Sequence, residues 1–178
     1  CNRNGVDDSG LGRWSWSQYS GRDGSRVRVV AAYRPCRAPA GSKLTTVWDQ
    51  HTRYLRSTNC SLNPRQKFDQ DIATLFTSWI QQNIRIVLCI DANEDITTGD
   101  FNRSMSEIGL INAHQQYESE PLPPTHDRGT SPISAMYISA TLVPTQAGIL
   151  PHGHGIEGDH HNMFIDFEHR NFLGEDLH

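Results

Sequence analysis

Residues 84–93, with the sequence IRIVLCIDAN, join a continuous apolar run to a polar end. Apolar side chains fill the first seven positions except Arg85, which is typical of a strand buried on both faces of a sheet. Asp91 and Asn93 follow two residues apart, so their side chains are expected to point the same way. Open α/β sheets bind ligands at the carboxyl ends of their strands. The segment therefore predicts a candidate site, and an Asx turn that merely closes the strand is the alternative.

Patterns on either side of this strand predict a mixed α/β domain. Alternating residues from Leu11 to Tyr19 and β-branched residues from Val27 to Tyr33 flank a turn cluster, which predicts a hairpin. Asn63-Pro64 is typical of a helix start, because asparagine caps the helix and proline fits its first turn. Hairpin and crossover connections together predict the class α/β or α+β with a mixed sheet. Further predictions are a helix over 43–56 capped by Gly41-Ser42, a short helix over 103–110, strands over 133–139 and 163–167, and a loop over 144–158.

The length of 178 residues indicates one domain. We expect an irregular segment over residues 1–10, the domain itself over 11–168 and a tail over 169–178. No apolar run approaches the ~18 residues of a membrane span, so the sequence excludes an integral membrane protein. No signal peptide opens the chain, and the first residue is Cys1 rather than methionine, which indicates a fragment or a processed product.

Charge is distributed unevenly along the chain. The net charge of −4 combines +7 over residues 1–70 with −11 over residues 71–178. This asymmetry fits an enzyme that holds a polyanion with one surface and a cation with another, and two unrelated solvated surfaces are the alternative. The four cysteines show no CxxC spacing, so no structural zinc site is predicted. A Cys36–Cys60 disulfide is left open, and a reducing, intracellular environment is the default expectation.

Two further motifs carry groups that can do chemistry. Gly158-Asp159-His160-His161 precedes an apolar strand and sets an acid beside an imidazole, which suits a general base, a phosphate contact or a metal ligand. A histidine-rich surface loop is the alternative, since His152 and His154 lie nearby; zinc bound by these four histidines is a third possibility. Tyr33-Arg34 ends a strand and can contact phosphate oxygens, with simple core packing of the tyrosine as its alternative.

Taken in order, these blocks resemble the endonuclease/exonuclease/phosphatase family over roughly residues 11–168. This family includes abasic-site endonucleases, pancreatic deoxyribonuclease and the endonuclease domains of non-LTR retrotransposons. The chain most resembles the retrotransposon domains. The matching blocks are Tyr33-Arg34-Pro35, Ile90-Asp91-Ala92-Asn93, Pro124-Thr125-His126, the strand from Ile133 to Ser139, and Gly158-Asp159-His160 followed by the strand from Met163 to Phe167.

The resemblance implies a four-layered sandwich of two mixed sheets with outer helices, which hydrolyses phosphate esters with Mg²⁺ or Mn²⁺. By that analogy His160 contacts the scissile phosphate or activates water, Asp91 orients the water or assists the leaving oxygen, and Asn93 and Tyr33 hold phosphate oxygens. The full expected set is His160, Asp91, Asn93, Tyr33 and Ser134 for catalysis, Asp159 and Asp91 for the metal, and Arg34, Thr125 and Arg13 for substrate.

Two departures from the family pattern bear on activity. Nothing before Tyr33 resembles the family's first strands, one of which ends in a metal-binding glutamate, so we expect about 80 N-terminal residues of the domain to be absent. Ser134 stands where the family has an aspartate that orients the active histidine. Loss of such a carboxylate predicts a rate lower by a factor on the order of 10²–10⁴, unless Glu157 or Asp127 replaces it. The alternative to an enzyme is an inactive remnant that binds or self-assembles.

The resemblance and the basic first half favour nucleic acid, and DNA in particular, as the partner. The arginines around the predicted hairpin could follow a phosphate backbone, and charges that protect an edge strand are the alternative. An exposed sheet edge also predicts homo-oligomers. A zinc or small-ligand binding module is the third interpretation of the chain. The arginines concerned are Arg13, Arg22, Arg26, Arg28, Arg34 and Arg37.

Overall fold

Strands and helices alternate along the computed structural model, which describes residues 2–21, 23–38, 45–117 and 121–174. The strands are β1 (Arg3–Val6), β2 (Trp14–Ser20), β3 (Arg26–Tyr33), β4 (Ile84–Asp91), β5 (Leu110–Asn112), β6 (Ser134–Ser139), β7 (Pro144–Ile149) and β8 (Met163–Phe167). The helices are α1 (Val47–Ser57), α2 (Pro64–Gln81), α3 (Asp100–Glu107), α4 (Ala113–Tyr117) and α5 (His169–Leu173).

Two sheets organise these elements. Six strands form one sheet in the order β1-β2-β3-β4-β6-β5, and β7 pairs with β8 in a second, antiparallel sheet. Within the larger sheet β3 and β4 run parallel, joined through α1 and α2, while the other neighbours are antiparallel. The expected hairpin is therefore present as β2 and β3. The predicted α/β class with a mixed sheet is confirmed.

A separate apolar cluster covers each face of the large sheet. On one face Ile86 and Leu88 of β4 pack with α2 and α3 around Phe68, Phe76 and Phe101, all buried. On the other face Val27, Val87 and Ile138 pack against the second sheet, which contributes Ile165 and Phe167 of β8. Alternate residues of β4 thus enter different clusters, which is why its sequence is apolar throughout.

The start of α2 agrees with the sequence pattern. The Asn63 side chain accepts hydrogen bonds from the backbone N–H groups of Arg65 and Gln66, and the Gln66 side chain accepts one from the Asn63 N–H. This capping box satisfies donors that the helix itself leaves unpaired. α1 begins later than predicted, at Val47 with Thr46 as its cap, and the predicted cap Gly41-Ser42 lies outside the described residues.

Several elements were not predicted because a distant partner forms them. β1 lies in the stretch expected to be irregular and pairs with β2, where Gly5 leaves room for the Trp16 indole. β7 lies in the expected loop over 144–158 and pairs with β8. β5, α4 and α5 were also missed, and the short helix expected over 103–110 is α3, which ends at Glu107. The proposed domain boundaries stay predictions.

Other expectations concern cysteines and membranes. Cys36, Cys60 and Cys89 are all free thiols, so the Cys36–Cys60 disulfide does not form in this structure. Among the described residues, no helix combines the length and the apolar character that crossing a bilayer requires.

Candidate active site

Three predicted site residues lie side by side at one end of the large sheet. Tyr33 of β3 and Asp91 of β4 are register partners, and Asp91 is in turn the partner of Ser134 of β6. Laterally paired residues share a face of a sheet, so the three side chains form a row. Asp91 lies four residues after Val87 in β4, so both side chains are on the same face of the sheet. Val87 packs against the second sheet, and the row therefore lies on that face.

The Asp91 carboxylate is held by the turn that follows β4. Its Oδ1 accepts the Asn93 backbone N–H at 3.1 Å and its Oδ2 accepts the Asn93 Nδ2 at 3.2 Å. Asn93 adopts a left-handed backbone with φ of 50°, and its Nδ2 also donates to the Arg34 carbonyl at 2.8 Å. The Asx turn considered from sequence is therefore present, and it positions the carboxylate. Burial raises the pKa of Asp91, although the Asn93 hydrogen bonds and the nearby His160 oppose this.

His160 meets this row from the segment before β8. Its Nδ1 lies 2.9 Å from the Ser134 hydroxyl, and its Nε2 lies 3.8 Å from Oδ2 of Asp91. Ser134 thus occupies the position that orients the imidazole. Neither proposed substitute acid does so, since Glu157 is exposed and Asp127 lies beside a different histidine.

That second histidine is His126, whose part in the site the sequence did not reveal. Its ring is perpendicular to the His160 ring at a centroid distance of 5.0 Å, and the two residues form an isolated β-bridge. Its Nδ1 lies 3.2 Å from Oδ1 of Asp127, and its Nε2 lies 3.5 Å from Oδ2 of Asp159. The only signal in the sequence was its place directly after Thr125 in a matching block.

Tyr33, Asp91, Asn93, Asp159 and His160 therefore gather at one rim of the molecule. The tyrosine ring is exposed, the Asp159 side chain is mostly exposed, and Asp91 and His160 are partly buried. Carboxylates and an amide are oxygen donors for a hard divalent cation, and Mg²⁺ commonly takes one or two protein carboxylates plus substrate phosphates. Asp91 and Asp159, the two residues predicted to bind the metal, each bring a carboxylate to this rim.

Comparison with solved structures identifies the fold. A 3′ phosphatase from Neisseria, NExo, solved with a product DNA hairpin, is 13% identical with a TM-score of 0.68, over 94% of this chain and 71% of that one. The human nocturnin catalytic domain, solved with sulfate, is 17% identical with a TM-score of 0.57, over 87% and 52%. This chain has the endonuclease/exonuclease/phosphatase fold.

A third structure with this fold is an endonuclease/exonuclease/phosphatase family protein from Bacteroides thetaiotaomicron. It is 14% identical with a TM-score of 0.53, over 93% of this chain and 57% of that one. The present chain thus spans between about half and about seven tenths of the three proteins. No family model matches the sequence, and no curated protein matches it.

Within the endonuclease/exonuclease/phosphatase fold, Thr125 is held by hydrogen bonds to the backbone of two other segments. It is fully buried, and its hydroxyl oxygen accepts the backbone N–H groups of Ile133 and Ser134 at 2.8 and 2.9 Å. Its carbonyl accepts the His161 N–H at 2.9 Å. These bonds tie the His126 segment to the start of β6 and to the His160 segment. The described contacts of Thr125 thus hold these segments together, and its expected substrate contact stays a prediction.

Arg34 and Arg13 are both buried beside acidic side chains. Arg34 is 3% exposed and forms a bidentate pair with Asp69 at 2.7 and 2.8 Å, with a further bond to Glu94 at 3.0 Å. Arg13 is 4% exposed and pairs with Asp7 and Asp71. Both guanidiniums therefore have carboxylate partners inside the protein, and their expected contact with substrate stays a prediction.

The remaining arginines of the predicted cluster have different surroundings, and their expected contact with a phosphate backbone stays a prediction. Arg28 is buried, and its guanidinium lies 4.2 and 4.3 Å from the ring centroids of Trp16 and Trp79. Arg26 donates to the Gln82 carbonyl. Arg37 is exposed, and Arg22 lies outside the described residues. Most of the cluster thus serves stacking and hydrogen bonding within the domain.

A cavity of about 700 Å³ lies away from the candidate rim. It is lined by β1, β2, α1 and α2, with Trp14, Trp16 and Trp79 in its walls. Asp7 and Arg13, the buried charged groups there, neutralise one another. The convergence of an imidazole with Asp91 makes the rim, and not this cavity, the candidate active site.

Proposed function

We propose that this chain is a metal-dependent phosphodiester hydrolase that acts on nucleic acid, with DNA as the favoured substrate. The supporting observation is the approach of His160 Nε2 to Asp91 Oδ2 at 3.8 Å, with Nδ1 held by Ser134 at 2.9 Å. Solved proteins with this fold include a phosphatase bound to product DNA, which supports a DNA substrate. The substrate-binding part of this proposal rests on the fold and on the exposed rim.

The arrangement supplies positioning and charge more than a covalent nucleophile. When Nδ1–H of His160 donates to the Ser134 hydroxyl, the Nε2 lone pair faces the rim and can accept a proton from water. The Asp91 carboxylate then favours the imidazolium that forms. The exposed Tyr33 hydroxyl would donate to a phosphate oxygen, and Asn93, whose Nδ2 already donates to Arg34 and Asp91, would hold the Asp91 carboxylate in place. A divalent cation, Mg²⁺ or Mn²⁺, held by Asp159 and Asp91 would neutralise phosphate charge.

Cleavage of plasmid DNA and of a duplex with an abasic site, with Mg²⁺, with Mn²⁺ and with chelator, tests this function. We expect slow, metal-dependent product formation that His160→Ala and Asp91→Asn abolish. His154→Ala is the matched control, because this exposed histidine lies outside the rim and should leave the rate unchanged. Absence of metal-dependent product at high protein concentration, for DNA and RNA alike, would contradict the proposal.

The second candidate function is an inactive remnant that binds or self-assembles. Ser134 in place of an acid favours it, and so does β1 at the end of the large sheet, where Val6 is 67% exposed. An edge strand with unpaired backbone groups can pair with another copy. Multi-angle light scattering separates the candidates: association with rising concentration that Val6→Lys suppresses supports assembly, and a monomer at every concentration contradicts it.

A further inference from the structure

We propose that His126, Asp159 and His160 form a binding site for a transition-metal cation of the zinc class. Each residue offers one ligand atom, and all of these atoms lie within 4.8 Å of one another. Two imidazoles and one carboxylate leave a coordination position open, as in zinc sites that also bind water or substrate. The set differs from the four-histidine site considered from sequence and shares only His160 with it.

The distances suit a small tetrahedral ion. Ligands at about 2.0–2.2 Å from zinc in tetrahedral directions lie roughly 3.3–3.6 Å from one another. The His126 Nε2 and the Asp159 Oδ2 are already 3.5 Å apart. Asp159 is the most exposed of the three side chains, so small side-chain rotations bring the last ligands into range. Imidazole donors favour zinc and its neighbours over Mg²⁺, which prefers oxygen.

The polar groups next to the Nδ1 atoms of the two imidazoles also bear on metal binding. Ligating histidines usually donate their second ring N–H to a carboxylate or another oxygen, which fixes the ring. In His126 the Nδ1 lies 3.2 Å from Asp127 Oδ1, and in His160 the Nδ1 lies 2.9 Å from Ser134 Oγ. Both rings therefore have an oxygen atom close to Nδ1, and each Nε2 lies near a carboxylate, that of Asp159 for His126 and that of Asp91 for His160.

One contact indicates a change of tautomer on binding. The Nδ1 of His126 is also 3.1 Å from the backbone N of Arg128, whose N–H donates to it when the ring proton sits on Nε2. Metal at Nε2 would move that proton to Nδ1, where Asp127 accepts it. Asp127 is thus the partner of Nδ1 when metal is bound, and the Arg128 N–H is its partner when the site is free.

The backbone holds the two ligand segments together without metal. His126 and His160 form a β-bridge, and the Asp127 N–H donates to the Asp159 carbonyl at 2.9 Å. The His161 N–H donates to the Thr125 carbonyl on the other side of the bridge. Because these bonds fix both segments, the ligands need little ordering on binding.

Binding here has a consequence for catalysis that rests on the proposed function. His160 Nε2 cannot coordinate zinc and accept a proton from water at once. Zinc should therefore inhibit Mg²⁺-dependent cleavage by occupying the His160 imidazole. The binding itself stands apart from any activity.

Isothermal titration of the whole chain with zinc chloride tests the site directly. We expect one zinc per chain, binding at least tenfold weaker in His126→Ala and His126→Gln, and roughly 10–100-fold weaker in Asp127→Asn, which alters the partner of the ring. His152→Ala and His154→Ala are matched controls and should bind as the unmodified chain does. Circular dichroism verifies that each variant is folded.

Ring nitrogen shifts measured by long-range ¹H–¹⁵N correlation give a readout independent of affinity. Zinc should shift Nε2 of both His126 and His160 while Nδ1 of both stays protonated. Equal zinc affinity in the unmodified chain and both His126 variants, or binding that is lost only in the His152 or His154 variants, would overturn the site. If no cleavage is found, the proposed function fails while these binding results still decide the metal site; zinc that binds without suppressing measurable cleavage overturns the shared use of His160.

Discussion

At the scale of residues, the His160 imidazole has one polar neighbour at each ring nitrogen. Ser134 holds Nδ1 with a neutral hydroxyl, and Asp91 approaches Nε2 with a carboxylate. A neutral partner fixes the tautomer but stabilises the imidazolium less than a carboxylate does, because it brings no negative charge. Under the proposed function, the imidazolium of His160 would therefore lack one stabilising negative charge at Nδ1.

Replacing Ser134 tests this interpretation. We expect Ser134→Asp to raise kcat/KM for metal-dependent cleavage by a factor on the order of 10²–10⁴, because its carboxylate would accept the Nδ1–H and stabilise the imidazolium. Ser134→Ala, which removes the acceptor, should lower it. The measurement is single-turnover DNA cleavage at fixed pH and Mg²⁺. Equal rates for Ser134→Asp and the unmodified chain would show that the orienting charge does not limit the reaction.

A second residue-scale prediction concerns Asp7 and the acid limit of folding. Burial opposes its ionisation, but hydrogen bonds from Arg13 and Ser9 lower the pKa of Asp7 from 3.8 to about 2. Because the folded carboxyl has the lower pKa, its contribution to stability is fully present above about pH 4 and is lost as the pH falls through 2. This amounts to about 2 kcal/mol.

Urea unfolding between pH 2 and pH 5 measures that contribution. Asp7→Asn should lower the free energy of unfolding at pH 5 and flatten its dependence on pH over this interval. Asp8→Asn is the control, because Asp8 is exposed and next in sequence. If Asp7→Asn retained the same slope between pH 4 and pH 2 as the unmodified chain, the Arg13 pair would not be what sustains folding in acid.

At the scale of elements, local sequence sets where β4 ends and where α2 begins, and these ends position the candidate site residues. β4 ends in the Asp91–Asn93 turn, and the left-handed Asn93 lets the carboxylate accept two hydrogen bonds at once. α2 begins at a capping box. Its Phe68 and Ile72 pack on the face of the large sheet opposite the row that contains Asp91. The helix supports the site through packing and also through Asp69, which holds Arg34.

Removing the cap of α2 tests the element separately from the site. Asn63→Ala deletes the acceptor for two backbone N–H groups and should lower the free energy of unfolding by about 1 kcal/mol. Chemical denaturation measures this, with Ser61→Ala, an exposed position just before the helix, as the control. A change below a few tenths of a kcal/mol would mean that water replaces the cap without loss.

At the scale of the whole molecule, buried ion pairs connect layers whose residues are far apart in the sequence. Arg34 follows β3, Asp69 belongs to α2 and Glu94 follows β4, and one guanidinium bonds both acids. The pairing joins the helical layer to the end of the sheet where Asp91 lies. Its removal would take the bidentate cation from Asp69 and leave Glu94 with Arg65, whose Nη1 lies 3.9 Å from the Glu94 Oε2.

Arg34→Ala distinguishes this structural role from the substrate contact expected from sequence. We expect the free energy of unfolding to fall by about 3 kcal/mol, since breaking a buried pair leaves uncompensated charge. Arg37→Ala, an exposed arginine on the same segment, should leave it unchanged. Thermal and urea unfolding measure stability, and KM for DNA is measured on the folded fraction. Unchanged stability with a raised KM would restore Arg34 to the substrate-binding surface.

The sequence by itself determined β4 with its polar end, the β2–β3 hairpin, α2 with its cap and the ordered blocks that indicated the endonuclease/exonuclease/phosphatase fold. These follow from side-chain alternation, capping chemistry and turn residues, which act within a few positions of one another. The tertiary structure alone decided that His126 joins His160, that Thr125, Arg13 and Arg34 turn inward, and that β1 and β7 are strands. Each of these depends on a hydrogen-bond or charge partner that lies six or more residues away in the chain, and local sequence pattern does not specify which partner the fold brings near.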